Sequence, residues 1–193
     1  MKDTQLLSDV QQLTESLGRL PEAAAEPTFV AISGLPGTGK SYFCSKLAER
    51  LSFVILESDA LRKALFSSPS YSSQESTRLF QVCHLLIERL LRKGISLILD
   101  ATNLSERHRE HLYSIADRLD VKLLLVRVEA PPRVVHERLK SRPKDSENNS
   151  DADWEVYQRM KPSVQKITRN HFVVDTSRDI TPVIDKIVRE VNR

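Results

Sequence analysis

The sequence predicts a three-layer α/β fold, a parallel sheet covered by helices on both faces, and three observations point to it. From residue 29 onward, short wholly apolar runs alternate with helical patterns, and strands this apolar are buried on both faces, as in helix-covered parallel sheets. The first run leads into Gly34-Leu35-Pro36-Gly37-Thr38-Gly39-Lys40-Ser41, which fits G-x-x-x-x-G-K-[ST] at every fixed position between a strand and a helix. The second and third runs end in acids, Leu56-Glu57-Ser58-Asp59 and Leu99-Asp100, at the carboxyl edge where open sheets bind ligands.

The elements follow in order. Leu6, Val10, Leu13, Leu17 and Leu20 recur at three- and four-residue steps and predict an amphipathic helix over residues 4–20. Pro21 to Pro27 reads as a linker, so residues 1–27 form an N-terminal helix and linker that must dock on the rest or on a partner. Residues 28–193 are the main domain. Its predicted strands are Phe29–Ile32, Phe53–Leu56, Ile95–Leu99, Val121–Val128 and Phe172–Val174. Its predicted helices cover residues 40–51, 58–66, 74–93, 105–119, 131–141, 152–168 and 179–191. Gly94 stops the long helix, and Pro131-Pro132 opens another, since proline suits a first helical turn. Ser67–Ser73 is a serine-rich loop, and residues 143–151 hold no apolar anchor.

Composition bounds the function. Of 193 residues, 40% are apolar and 28% charged, too apolar a mix for wholesale disorder. A net charge of +3 excludes a polycation but not a local basic groove. No run reaches the roughly 18 apolar residues of a membrane span. Asp3, Asp9 and Glu15 among the first leucines argue against a signal peptide. Cys44 and Cys83 fall in predicted helices without metal-type spacing; free, partly buried thiols fit a cytoplasmic protein.

The glycine-rich octapeptide carries the chemistry. Three of the chain's five glycines, Gly34, Gly37 and Gly39, lie in it. A loop that wraps a triphosphate must turn successive backbone N–H groups inward, and glycine permits that curvature and close approach. The following helix adds the positive end of its dipole. Lys40 can reach the β- and γ-phosphates, and Ser41 can ligate Mg²⁺. Gly34, Gly37, Thr38, Gly39, Lys40, Ser41 and the adjoining Tyr42 are therefore the candidate ATP-binding residues. The chain has no N-K-x-D run of the kind that reads guanine in Ras-type GTPases.

Asp59 and Asp100 close neighbouring strands near this loop. A carboxylate there can accept the proton of an attacking hydroxyl or organise Mg²⁺, and with Ser41 both are candidate metal ligands. Which of the two takes the proton stays open. Arg62, three residues after Asp59, shares a helix face with it and can hold an anionic or polyhydroxyl acceptor. Thr102 and Asn103 can bind acceptor hydroxyls or only cap the next helix. Arg138 and Arg142 lie four apart before the polar loop, with Arg133, Lys140 and Lys144 nearby, a lid over about 131–152 that can neutralise developing charge. Tyr71 either stacks on a base or belongs to a flexible loop. His108 and His111 read as surface residues, and Trp154 as packing.

Gly34–Ser41, Asp59-x-x-Arg62, Asp100-Ala101-Thr102-Asn103 with Arg107 and Arg109, and the helix of Arg138 and Arg142 resemble the polynucleotide-kinase-like branch of P-loop kinases, the AAA_33 type. That group is related to zeta-type toxins and to the kinase domain of bifunctional fructose-phosphate kinases. The likeness spans most of residues 29–175. It implies a P-loop sandwich with strand order 2-3-1-4-5 and ATP with Mg²⁺ as cofactors. It implies Asp59 as general base, Arg62 and Arg107 toward the acceptor, and Arg138 and Arg142 on the donor phosphates. The acceptor it implies is a 5′-hydroxyl on a single-stranded nucleic acid. A sugar, sugar phosphate or other small metabolite is the alternative, and a non-catalytic nucleotide-dependent binding module the third.

Overall fold

The computed structural model describes residues 2–141 and 152–193. Five parallel strands, β1 Thr28–Ser33, β2 Val54–Glu57, β3 Leu97–Asp100, β4 Lys122–Glu129 and β5 Phe172–Asp175, form one sheet in the order β2-β3-β1-β4-β5. The chain leaves central β1 with β3 on one side and β4 on the other, so the crevice beyond its carboxyl end is the switch point of the sheet.

Helices α1 Lys2–Ser16, α2 Lys40–Ala48, α3 Ser58–Leu65, α4 Ser73–Arg92, α5 Glu106–Leu119, α6 Pro132–Ser141, α7 Trp154–Met160 and α8 Thr181–Val191 surround it. Successive strand residues point to opposite faces, and the core divides accordingly. Phe29, Ala31, Leu97 and Leu99 pack with Leu79, Leu86 and Leu90 of α4 and Leu112 of α5. Val30, Ile32 and Ile98 pack with Phe43 and Leu47 of α2 and Ile184 and Ile187 of α8. A third cluster joins Val135 and Leu139 of α6 to Tyr157 of α7, with Trp154 stacked on Tyr157 and its edge to His136. No helix among the described residues is long and apolar enough to cross a membrane.

The leading helix is shorter than its leucine pattern suggests, ending at Ser16 before Gly18 at φ 66°. It docks on α3 and α4. Val10 and Leu13 enter the core, Gln12 Nε2 donates to the Ala64 carbonyl at 2.7 Å, and Arg78 donates twice to the Asp9 carboxylate at 2.7 Å. Arg78's hydrogen bonds outweigh burial and hold Asp9 below the usual carboxylate pKa. Its contribution to stability is therefore complete above the ordinary carboxylate pKa and fades as pH falls through the lowered value. Asp9→Asn should cost about 1–3 kcal/mol at neutral pH, and melting curves of the two proteins should converge in acid.

Two expectations need correction. The helix expected over 152–168 ends at Met160, continues as a 3₁₀ turn over Lys161–Ser163, and gives way to an extended segment. Pro162 has no N–H to donate to a helical ladder, and residues 165–166 bond to α5 and the loop before it instead. Cys44 and Cys83 are fully rather than partly buried, and burial pushes both thiols up, Cys83 to about 12. The expected polar loop 143–151, and with it Lys144 and much of the lid, lies outside the described residues.

Candidate phosphate-binding and transfer site

The loop between β1 and α2 is fitted to its surroundings at each glycine. The Gly34 N–H donates to the Thr102 carbonyl at 3.0 Å, and a Cβ there would run into the Val128 carbonyl oxygen. Gly37 and Gly39 adopt φ 77° and 90°, which side chains rarely tolerate. A Cβ on Gly37 would meet Val135 and Leu139 of α6, and one on Gly39 would meet Thr176. Thr38 is buried and closes the turn through Oγ1 to the Leu35 carbonyl at 2.7 Å. Lys40 opens α2 and donates from Nζ to the same carbonyl at 3.2 Å. Tyr42 is 56% exposed on the next turn.

Ser41 Oγ donates to Asp100 Oδ2 at 2.6 Å. Asp100 is buried at the end of β3, in register with Glu57 at the end of β2. Burial raises its pKa above the carboxylate norm, Asp59 adds repulsion, and Lys40 and Ser41 oppose both. Asp59 sits in the first turn of α3. The Ser41 hydroxyl donates its proton in a hydrogen bond to Asp100, which leaves the serine oxygen lone pairs available to a cation. No group of three or more His, Cys, Asp or Glu able to hold a metal occurs among the described residues. Mg²⁺ does not need one, since it is bound by one or two protein oxygens together with phosphates and water. A cradle that side chains would fill, with a lysine and a hydroxyl–carboxylate pair beside it, fits Mg-ATP.

Several side chains have other duties than expected. Asn103, at φ 43°, donates from Nδ2 to the Ile32 carbonyl at 2.7 Å and is buried. It does not cap α5; Ser105 does, accepting from the His108 N–H. The Thr102 carbonyl is taken by Gly34 and Ser33. Arg109 is fully buried and donates to the Asn103, Leu104, Gln165 and Lys166 carbonyls and to Glu106. Arg107 is exposed on α5. His108 and His111 are exposed too, beside Phe80 and His84.

Arg62, expected to hold an acceptor, is already engaged within the protein. It is buried, and its Nη1 donates to the Glu75 carboxylate in a short ion pair. Nη2 donates to Ser76 Oγ at 3.3 Å, and the Tyr71 ring lies 4.7 Å from Cζ. Arg138 donates to Thr176 Oγ1 and its carbonyl at 2.8 and 2.9 Å, and Thr176 Oγ1 donates to the Thr38 carbonyl at 2.6 Å. Arg138 thus reaches the phosphate loop through Thr176. Arg142 lies outside the described residues.

Glu75 escaped the sequence reading, as did the bond of Thr176 to the phosphate loop. Ser72-Ser73-Gln74-Glu75 carries the S-x-x-E signature of a capping box. Ser72 does accept the Glu75 N–H at 3.2 Å, but the Glu75 carboxylate turns to Ser70, Tyr71 and Arg62.

Solved structures share this fold. Mycobacterium tuberculosis APS kinase CysC in complex with AMPPNP and APS aligns at a TM-score of 0.64 and 16% identity, over 88% of this chain and all of that one (100%). Chaetomium thermophilum Kti12 in complex with ADP-AlF3 aligns at 0.65 and 18%, over 83% and 97%. A gluconokinase from Sinorhizobium meliloti 1021 aligns at 0.60 and 17%, over 84% and 90%. At these identities the likeness is one of fold, that of P-loop nucleotide-binding proteins. No curated protein matches the sequence. The AAA_33 family of AAA domains matches the sequence over residues 29–167, and the chain belongs to that family.

Proposed function

We propose that the chain is an ATP-dependent kinase that phosphorylates a hydroxyl acceptor. The observation that carries this is the Ser41–Asp100 hydrogen bond beside Lys40, with Asp59 close enough to raise the Asp100 pKa. In this reading the amides of residues 34–41 and Lys40 hold the triphosphate of ATP, and Ser41 with Asp100 holds Mg²⁺. Bound Mg-ATP supplies the phosphoryl group and neutralises its charge. Asp59 would accept the proton of the acceptor hydroxyl as its oxygen bonds to the γ-phosphorus and the bridging P–O bond breaks, releasing ADP. Arg138, steered by Thr176, acts on the donor side.

Two acceptor classes have support. Arg107 is exposed on α5, Arg159 on α7, Lys161 on the 3₁₀ turn and Lys166 on the extended segment bonded to the start of α5. They favour the 5′-hydroxyl of a single-stranded polynucleotide, since a basic strip follows a phosphate backbone. The neutralised Arg62 favours a small sugar-like acceptor instead. The test is to incubate the protein with γ-labelled ATP, Mg²⁺ and a panel of 5′-hydroxyl oligonucleotides, nucleosides and sugars. Label on an acceptor supports the kinase. Tight ATP binding with label on none of them supports a nucleotide-dependent binding module. An oligonucleotide acceptor should lose affinity steeply with added salt, while a neutral sugar should not.

A further inference from the structure

The surroundings of Arg62 bear on the chemical class of the acceptor, given the kinase reading on which this inference rests. Arg62 and Glu75 are both buried, with side chains 9% and 7% exposed. The Glu75 carboxylate also accepts the Ser70 N–H at 2.7 Å, the Ser70 hydroxyl at 2.8 Å and the Tyr71 N–H at 3.3 Å. It is thus locked between α3 and the loop that precedes α4. Burial alone would raise its pKa, but these donors and Arg62 bring it down to about 2, so the carboxylate keeps its charge at any ordinary pH.

A guanidinium that binds phosphate uses its positive charge together with two parallel N–H donors. Here Nη1 serves Glu75, Nη2 serves Ser76, and the charge is cancelled across a buried pair. An incoming phosphate would face a like-charged carboxylate that already holds the guanidinium. The Arg62 Nε is buried and out of a ligand's reach, and the partly exposed Tyr71 ring, centred 4.7 Å from Arg62 Cζ and held by a left-handed backbone at φ 54°, lines this side. A neutral wall faced by an aromatic ring suits an uncharged, ring-shaped molecule.

We infer that Glu75 determines acceptor specificity: by neutralising Arg62 it makes the acceptor wall beside Asp59 select an uncharged, ring-shaped polyol over a phosphorylated one. Of the two acceptor classes, this favours the small neutral molecule.

Two experiments test it. In the first, label transfer is measured to matched pairs, a nucleoside and its 3′-phosphate, a hexose and its 6-phosphate. The wild-type protein should have a kcat/KM at least about tenfold higher for the uncharged member, about 1.4 kcal/mol. Preference for the phosphorylated member, or for a 5′-hydroxyl oligonucleotide over the nucleoside, overturns the inference. In the second, the protein is saturated with Mg-AMPPNP to fill the phosphate loop, and inorganic sulfate is titrated in a calorimeter. The wild type should take up none at millimolar concentration. Glu75→Gln should gain one site, which Arg62→Gln on top of it removes. Sulfate bound by the wild type at a site lost in Arg62→Gln, or no gain in a folded Glu75→Gln, overturns it. The wild-type titration decides even where Glu75→Gln does not fold. It needs no turnover, so absence of label on every acceptor would defeat the kinase reading while leaving this result to be read on its own.

Discussion

Replacement of Asp59 by asparagine should lower phosphoryl transfer by about 10²–10⁴-fold, the usual worth of a general base, with ATP affinity unchanged. The split follows from position. Asp59 lies in the first turn of α3, after β2, whereas the phosphate loop hangs from β1 and α2. Asparagine keeps the shape and removes only the basic oxygen. Calorimetric ATP binding together with steady-state turnover reads both halves. A tenfold loss of affinity would make Asp59 part of the nucleotide site, and unchanged turnover would remove it as the base.

Asp100→Asn should have the opposite effects on stability and on activity. Burial and Asp59 raise the Asp100 pKa despite Lys40 and Ser41, so at neutral pH its charge costs the folded state free energy. The amide oxygen can still accept the Ser41 hydroxyl. The variant should therefore melt at a higher temperature than the wild type. The sign follows from linkage: a raised carboxylate pKa means that the native state binds the proton more readily than the unfolded chain. The gap in Tm should be widest above the native pKa and should close as pH falls to the ordinary carboxylate range. Mg²⁺-dependent turnover should be lost, because a neutral amide is a weak ligand for a hard cation. A variant that is both less stable and active would show that the residue is structural. Such stability–activity opposition is common where a site concentrates charge that a fold would otherwise avoid.

The parts legible in the sequence are those written locally. Gly34–Ser41 states its own geometry, and five apolar runs between helical patterns state the layers. Asp59 and Asp100 were placed by the rule that ligands gather beyond strand carboxyl ends. What escaped depends on partners far along the chain. Arg62 looked available because its own helix holds no acid except Asp59; its counter-ion arrives thirteen residues later on another helix. Asn103 looked like a cap or a substrate ligand because its hydrogen-bond partner, Ile32, is 71 residues away. Thr176 joins Arg138 to Thr38 across a separation of 138 residues. The 152–168 helix failed for a local reason that Pro162 did announce.

The leading helix has a practical consequence. It braces α3 through Gln12 and the core contacts of Val10 and Leu13, and α3 carries both Asp59 and Arg62. Trimming the first twenty residues, a natural step in preparing such a protein for crystals, would spare the nucleotide cradle and slacken the helix that carries the proposed base. A shortened protein that still grips ATP would then be a poor test of the proposed transfer.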